Sequence, residues 1–272
     1  MKTFKVVSQL VRSRMVDLLK KNSRIDGRGL LDYREIKVEK GFITRAAGSA
    51  QVSIGSTKVL AGVKVELGEP FPDMPDKGVL TVNAELVPLA SPAFEPGPPD
   101  ENAVELARIV DRALRETETV DLKKLCIKPG KKVFVVFVDI YVLDYDGNFI
   151  DASSLASIIA LLNTRIRKFR IEEGELKYED EYMPLPIKHT PVTITLAKSE
   201  DGPFIVDPNL EEELSLGNRI SISIDELGRI CGVQKLEGTL TVDEIFKAVS
   251  VAKTVAPKLI DIVVREGGLS VQ

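Results

Sequence analysis

The chain has 272 residues, 44% of them hydrophobic and 29% charged, enough for one large core or two smaller ones in a soluble globular protein. Its formal net charge of −4 excludes a surface broadly coated in basic residues, so binding to a nucleic acid would need a local patch or a shared interface. No apolar run approaches the ~20 residues that span a bilayer, and Lys and Arg interrupt the N-terminus too often for a signal peptide, so a cytoplasmic protein with no membrane partner is expected.

Residues 3–21 place Phe4, Val7, Leu10, Val11, Leu18 and Leu19 among Lys and Arg, a pattern that predicts an amphipathic helix. From Arg34 the period changes to two. Strands are predicted over Glu35–Glu39, Ala50–Ile54 and Val59–Leu67 as an antiparallel meander, with Gly55-Ser56-Thr57 as the turn between the last two. Val79–Leu89 predicts a further strand, and a Pro-rich connection leads into the stretch around which the first half is organised.

That stretch is Gly97–Glu116. Asp100 is a suitable N-cap, and at about 100° per residue Ala103, Leu106, Ala107, Ile109, Val110, Ala113 and Leu114 fall on one arc of roughly 160°. Only Val104 breaks the pattern. On the polar arc Arg108, Arg112 and Arg115 form a basic stripe at i, i+4, i+7. Two readings stand side by side: a solvated face paired through Glu105–Arg108 and Asp111–Arg115, or a row of guanidinium forks for successive phosphates of a strand.

Lys131–Asp144 predicts a central strand, and Asp146-Gly147 a turn after it. Asp151 is expected to cap a buried helix from Ala152 to about Lys168. The charged segment Glu172–Tyr182 is expected to separate two lobes. The second lobe repeats the scheme, with strands near 191–197, 203–207, 219–224 and 229–235. A helix then starts at a Thr241/Glu244 capping box, with Pro257 expected to kink or restart it. The fold class read from this order is α+β, with two similar β-α lobes.

Chemistry is harder to find. Cys126 and Cys231 stand alone, as expected of small buried thiols, and His189 lies in a Lys-His-Thr-Pro turn with no catalytic part assigned. There is no Walker A sequence, no G-x-G-x-x-G after a strand, no H-E-x-x-H and no G-x-S-x-G. The residues alone yield no nucleophile, base and orienting group.

Six stretches in series resemble the RNase PH family of phosphorolytic 3′-exoribonucleases: Arg24-Ile-Asp-Gly-Arg28, Gly48–Val59, Val82-Asn-Ala-Glu-Leu86, Asp100–Glu116, Val138–Asp146 and Gly238–Val249. The resemblance implies two lobes of the ribosomal protein S5 domain 2-like type. They are expected at residues 24–170 and 191–272, with an N-terminal helix over 1–23 and a connecting segment over 171–190. Within the family, Phe94-Glu-Pro-Gly-Pro-Pro-Asp-Glu-Asn-Ala103 resembles the non-catalytic ring subunit of the archaeal exosome. That kind of subunit implies an alternating six-membered ring with a catalytic RNase PH-like subunit, RNA-binding cap subunits and single-stranded RNA as partners.

Active members carry Gly-Gly-(Ser/Thr)-Arg-(Ser/Thr)-Ala as a phosphate loop, where this chain has Gly147, Asn148, Phe149, Ile150, Asp151 and Ala152. Apolar side chains replace the hydroxyl and the Arg. A carboxylate about 4 Å from a phosphate charge costs on the order of 4 kcal/mol at an effective dielectric near 20. Active members also carry an acidic pair in the second lobe that serves a divalent metal or acts as general acid; the matching positions here are Glu213 and Arg219. A guanidinium does neither job. An Arg pair ahead of the Gly97–Glu116 helix is replaced by Asp100 and Glu101. The resemblance therefore implies no catalytic residue, cofactor or metal of the chain's own, with RNA held by Arg108, Arg112 and Arg115. The alternative kept open is an active, divergent phosphorolytic 3′-exoribonuclease; a protein-interaction module without RNA is the third class.

Overall fold

A computed structural model describes residues 9–172, 175–200 and 202–268. Helix α1 (Gln9–Lys20) realises the first expected helix, whose Phe4 and Val7 lie outside the described residues. Strands β1 (Ile36–Lys40), β2 (Gly48–Ile54) and β3 (Thr57–Gly68) form the antiparallel meander. Strand β4 (Val79–Leu86) stops before the expected Leu89. Helix α2 (Glu101–Glu116), the short β5 (Cys126–Lys128) and the long β6 (Lys132–Asp144) complete the first sheet, whose order is β1-β2-β3-β6-β4 with β5 on β6. Strand β6 is central as expected. It pairs antiparallel with β3 but parallel with β4, so α2 is the crossover that joins two parallel strands.

Helix α3 (Phe149–Leu162) lies between this sheet and a second one, and every residue from Ile150 to Leu161 is buried. It has no polar face because sheets cover it on two sides. It ends six residues before the expected Lys168. Asn163 caps it, Thr164 Oγ1 closes on the Ala160 carbonyl at 2.8 Å, and the alternation Arg165-Ile166-Arg167 then runs as strand β7 (Arg165–Glu172). Strand β8 (Glu175–Pro184) pairs back on it, so the segment expected to be a plain connection is a β-hairpin, anchored where Phe169 meets Phe134 at 4.8 Å.

The second sheet contains β9 (Val192–Lys198), β10 (Ile205–Val206), β11 (Asn218–Ile224) and β12 (Ile230–Glu237), antiparallel in the order β10-β9-β11-β12. Strand β9 is buried at all seven positions because helices pack on it. Between β10 and β11 lies α4 (Leu210–Leu216), which the strand pattern did not foresee. Its signal was the capping box Asn209/Glu212, the same device that starts α5 (Val242–Gly267) at Thr241/Glu244. Helix α5 runs through Pro257 without a new start. The fold is α+β with two β-α lobes, and one core cluster runs through both of them by way of α3; a smaller cluster of Met15, Leu19, Ala197, Ile205 and Leu216 holds α1. Among the described residues no helix is long and apolar enough to cross a membrane.

Candidate functional site

Helix α2 begins where Asp100 Oδ1 accepts the Ala103 N–H at 2.9 Å, and its expected apolar arc is buried apart from a partly exposed Ala107. Of the two anticipated pairs on the polar arc, one forms. Arg115 donates to Asp111 at 3.1 and 2.6 Å and to the Leu80 carbonyl at 2.9 Å. Glu105 instead accepts from Gln234 Nε2 at 3.3 Å. Arg108 and Arg112 are exposed, and among the described residues no carboxylate lies within ion-pair distance of either. They line a groove of about 700 Å³ between α2 and β11–β12, opposite Ser221, Ser223 and Gln234. One helical turn apart, their Cα atoms are offset by about 6 Å along the helix axis.

The loop Gly147–Asp151 faces the first turns of α2, with Phe149 and Ile150 lining a second groove beside Asp100–Leu106. Gly147 (φ +84°) and Asn148 (φ +54°) are both left-handed, and a Cβ on Gly147 would stand 2.4 Å from the Asn209 carbonyl carbon, so only glycine fits. Asn148, not Asp151, is the N-cap of α3. Its Nδ2 donates to Asp151 at 2.9 Å and to Asp207 at 2.8 Å, while its backbone N–H donates to Glu213 Oε1 at 2.9 Å. Phe149 packs on Tyr145 with ring centroids 5.2 Å apart, and Ile150 is buried.

Asp151 sits inside the first turn and points into the protein. It accepts from Tyr33 Oη (2.6 Å), Thr195 Oγ1 (2.7 Å) and the Thr195 N–H (3.0 Å). Burial raises its pKa to about 6 against those hydrogen bonds. The expected cap, Asp151, is therefore not the acid at the loop: the carboxylate that meets the loop amide comes from Glu213, across the lobe boundary, and only the tertiary fold brings it there.

Glu213 and Arg219 do come together. Arg219 Nη1 lies 2.9 Å from Glu213 Oε1, and its Nε 3.2 Å from Glu237 Oε2. Tyr145 Oη donates to Glu213 Oε2 at 2.6 Å, and burial with that carboxylate beside it holds the phenol far above its ordinary pKa. Burial works against the Arg219 cation, yet the charge of Glu213 outweighs it and raises the guanidinium pKa. A divalent cation does not fit this donor set. Both Glu213 oxygens already accept hydrogen bonds, and the Arg219 guanidinium stands 2.9 Å from one of them, where a cation would repel it.

The sequence reading assigned no part to the basic cluster that buttresses the loop. Arg24, 3% exposed, makes two bonds to Glu212 (one of them Nε–Oε1 at 2.8 Å) and reaches the Val206 and Asp207 carbonyls at 2.8 and 2.9 Å. Arg34 grips Asp207 at 2.7 and 2.9 Å and the Asp146 carbonyl at 2.6 Å, and Arg28 adds a bond to Asp207 at 2.8 Å. Burial alone would raise Asp207, but Arg34 holds its carboxyl below the ordinary range. The Arg24–Arg28 motif was visible in the sequence; its acidic partners, some 180 residues away, were not.

The two thiols and the single histidine lie outside this cluster. Cys126 and Cys231 are free thiols, half-buried rather than fully buried as expected. His189, Asp225 and Glu226 place ligand atoms within 4.8 Å of one another, but Arg229 already supplies a cation there, 2.6 Å from Asp225 Oδ2 and 3.2 Å from His189 Nε2.

Comparison with known proteins fits this architecture. The 3′ exoribonuclease family, domain 1, matches residues 32–167, and domain 2 of the same family matches 189–255. The exosome complex component Rrp42 of Thermococcus gammatolerans is 51% identical over 95% of this chain and 96% of its own length; that of Pyrococcus abyssi is 52% identical over 91% of each. Among solved structures, the Archaeoglobus fulgidus exosome with RNA bound to the active site contains a chain that superposes with a TM-score of 0.85. The two are 45% identical, covering 93% of this chain and 97% of that one. Rice Rrp46, at 21% identity and a TM-score of 0.68, shares the fold. The chain belongs to the RNase PH family of 3′ exoribonucleases.

Proposed function

We propose that this chain is a non-catalytic ring subunit of an archaeal-type exosome. It completes the active site of a catalytic RNase PH-like partner in an alternating six-membered ring, holds single-stranded RNA beside that site, and supports RNA-binding cap subunits, in the cytoplasm. Its likeness to Rrp42 components and to a chain of an RNA-bound archaeal exosome supports ring membership.

The observation that carries the non-catalytic part is the Glu213 carboxylate on the Asn148 N–H. A phosphate reaching for that amide would have to displace a carboxylate that Arg219 and Tyr145 already hold in place, so the amide is not free to receive an anion. The loop offers no Arg or hydroxyl in compensation, since Phe149 and Ile150 are turned to packing. RNA contact falls to Arg108 and Arg112, the members of the stripe without an ion-pair partner among the described residues; Arg115 is held by Asp111 and the Leu80 carbonyl.

The test uses 5′-labelled RNA, magnesium and inorganic phosphate. The chain alone leaves the RNA intact, and the ring assembled with its catalytic partner shortens it. Phosphate-dependent shortening by the purified chain alone would overturn the assignment.

A further inference from the structure

The two flanks of α2 differ in chemistry. Adjoining the Arg108/Arg112 groove, with which it shares Pro99–Asn102 and Glu105 at the start of α2, a second groove of about 1210 Å³ runs between residues 85–106 and a face contributed by α3, α4 and the start of β11. Its floor is an aromatic ladder extended by leucines. Phe94 stacks on Tyr145 at 5.3 Å, Tyr145 meets Phe149 at 5.2 Å, and Leu210 and Leu214 continue the surface.

The rim is acidic. Glu85, Glu95, Asp100 and Glu105 line the groove, and among the described residues no Lys or Arg lies within ion-pair distance of any of these four. Arg219, the cation in the lining, is already held between Glu213 and Glu237. The wall adds to this bias. Pro88, Pro92, Pro96, Pro98 and Pro99 bring carbonyl oxygens but no N–H groups, so the loop offers acceptors in excess of donors. Their fixed φ angles also lower the cost of ordering the loop around an occupant.

A rim whose Glu85 and Glu95 have no Lys or Arg partner among the described residues, acceptors in excess of donors and an aromatic floor select against phosphate and for a cation carried on an apolar chain. We propose that this groove is the docking site for a peptide segment of another protein in which Arg or Lys flanks aliphatic residues. Its aliphatic side chains lie on the Phe94–Tyr145–Phe149 ladder, and its guanidinium or ammonium groups meet Glu85 and Glu95 at the rim. The inference stands on the composition of this groove, and because the two grooves meet at the first turn of α2, the Arg108→Ala variant tells peptide binding from RNA binding.

The experiment uses the full chain, alone and in the assembled ring, with a dye-labelled hexapeptide Gly-Arg-Leu-Ile-Arg-Gly read by fluorescence anisotropy at low salt. The control peptide carries Glu in place of both Arg. The expected result is saturable binding of the Arg peptide, about tenfold or more tighter than the Glu peptide. Glu85→Gln with Glu95→Gln should weaken it about tenfold and Phe94→Ala about fivefold, while Arg108→Ala leaves it unchanged. Equal binding of the two peptides, or insensitivity to both groove variants, would overturn the proposal. Displacement by equimolar spermidine would also overturn it, marking a site for free polyamine, and displacement by an RNA oligonucleotide would return the groove to nucleic acid. Loss of RNA binding in Arg108→Ala with peptide binding intact supports both readings at once.

Discussion

Neutralising Glu213 as Glu213→Gln strikes the point where the loop, α4 and β11 converge. The carboxylate is 5% exposed and accepts from the Asn148 N–H (2.9 Å), the Tyr145 hydroxyl (2.6 Å) and the Arg219 guanidinium (2.9 Å). Glutamine keeps the shape with one acceptor oxygen and an amide that only donates. The best orientation keeps its oxygen on Asn148 and Arg219 and makes the Tyr145 hydroxyl an acceptor, so no clash of donors follows, but the ion pair is lost. Breaking a fully buried pair costs about 3–5 kcal/mol. Arg219 retains 22% side-chain exposure and its contact with Glu237, which reduces the expected loss to about 2 kcal/mol. For a chain of this size that lowers Tm by about 5 °C. Calorimetry on Glu213→Gln, Arg219→Met and the double variant should give a coupling of about 1–2 kcal/mol. A Tm within about 1 °C of the parent, with no coupling, would mean that the pair does not hold the loop shut, and the argument for a closed anion loop would fail with it.

Three further outcomes are expected. Asp151, whose folded pKa of about 6 exceeds the ordinary 3.8, contributes stability that is fully present below pH 3.8 and lost as pH rises through 6, about 3 kcal/mol in all. Urea titrations between pH 4 and 7 should show that decline in the parent and not in Asp151→Asn; Asp207, with its lowered pKa, contributes stability above pH 3.8 that is lost only on further acidification. In the assembled ring, Arg108→Ala with Arg112→Ala should reduce the log–log salt slope of RNA binding by about 1.4, whereas Arg115→Ala should leave the slope unchanged and cost about 0.5–1 kcal/mol of stability. Gly147→Ala should destabilise by about 3 kcal/mol in chemical denaturation, since the new Cβ meets the Asn209 backbone at a left-handed φ.

Local signals were legible wherever a residue's role depends on near neighbours. The amphipathic arc of α2, its Asp100 cap, the Thr241/Glu244 box and the period-two strands follow from spacing alone, because helix and strand geometry repeat within a few residues. The Asn209/Glu212 box is equally local, but the helix it starts has only seven residues, too few for a helical period to stand out between two strands. The boundary at Leu162 depended on more distant packing: Phe169 on Phe134 and the pairing of β7 with β8 turned a helix-compatible run into a strand.

The candidate site divides in the same way. Sequence alone determined that the loop Gly147–Asp151 contains no Arg and no hydroxyl side chain, and that Arg108 and Arg112 share a helix face. Only the tertiary structure decided which acid faces the loop amide. Asp151 turns inward to Tyr33 and Thr195, and Glu213 arrives from the other lobe, held by Tyr145 and Arg219. Arg24, Arg28 and Arg34 likewise find Glu212 and Asp207 only in three dimensions. The physical reason is that a buried charge must be paired, and its partner is chosen by proximity in the folded core, which sequence spacing does not encode.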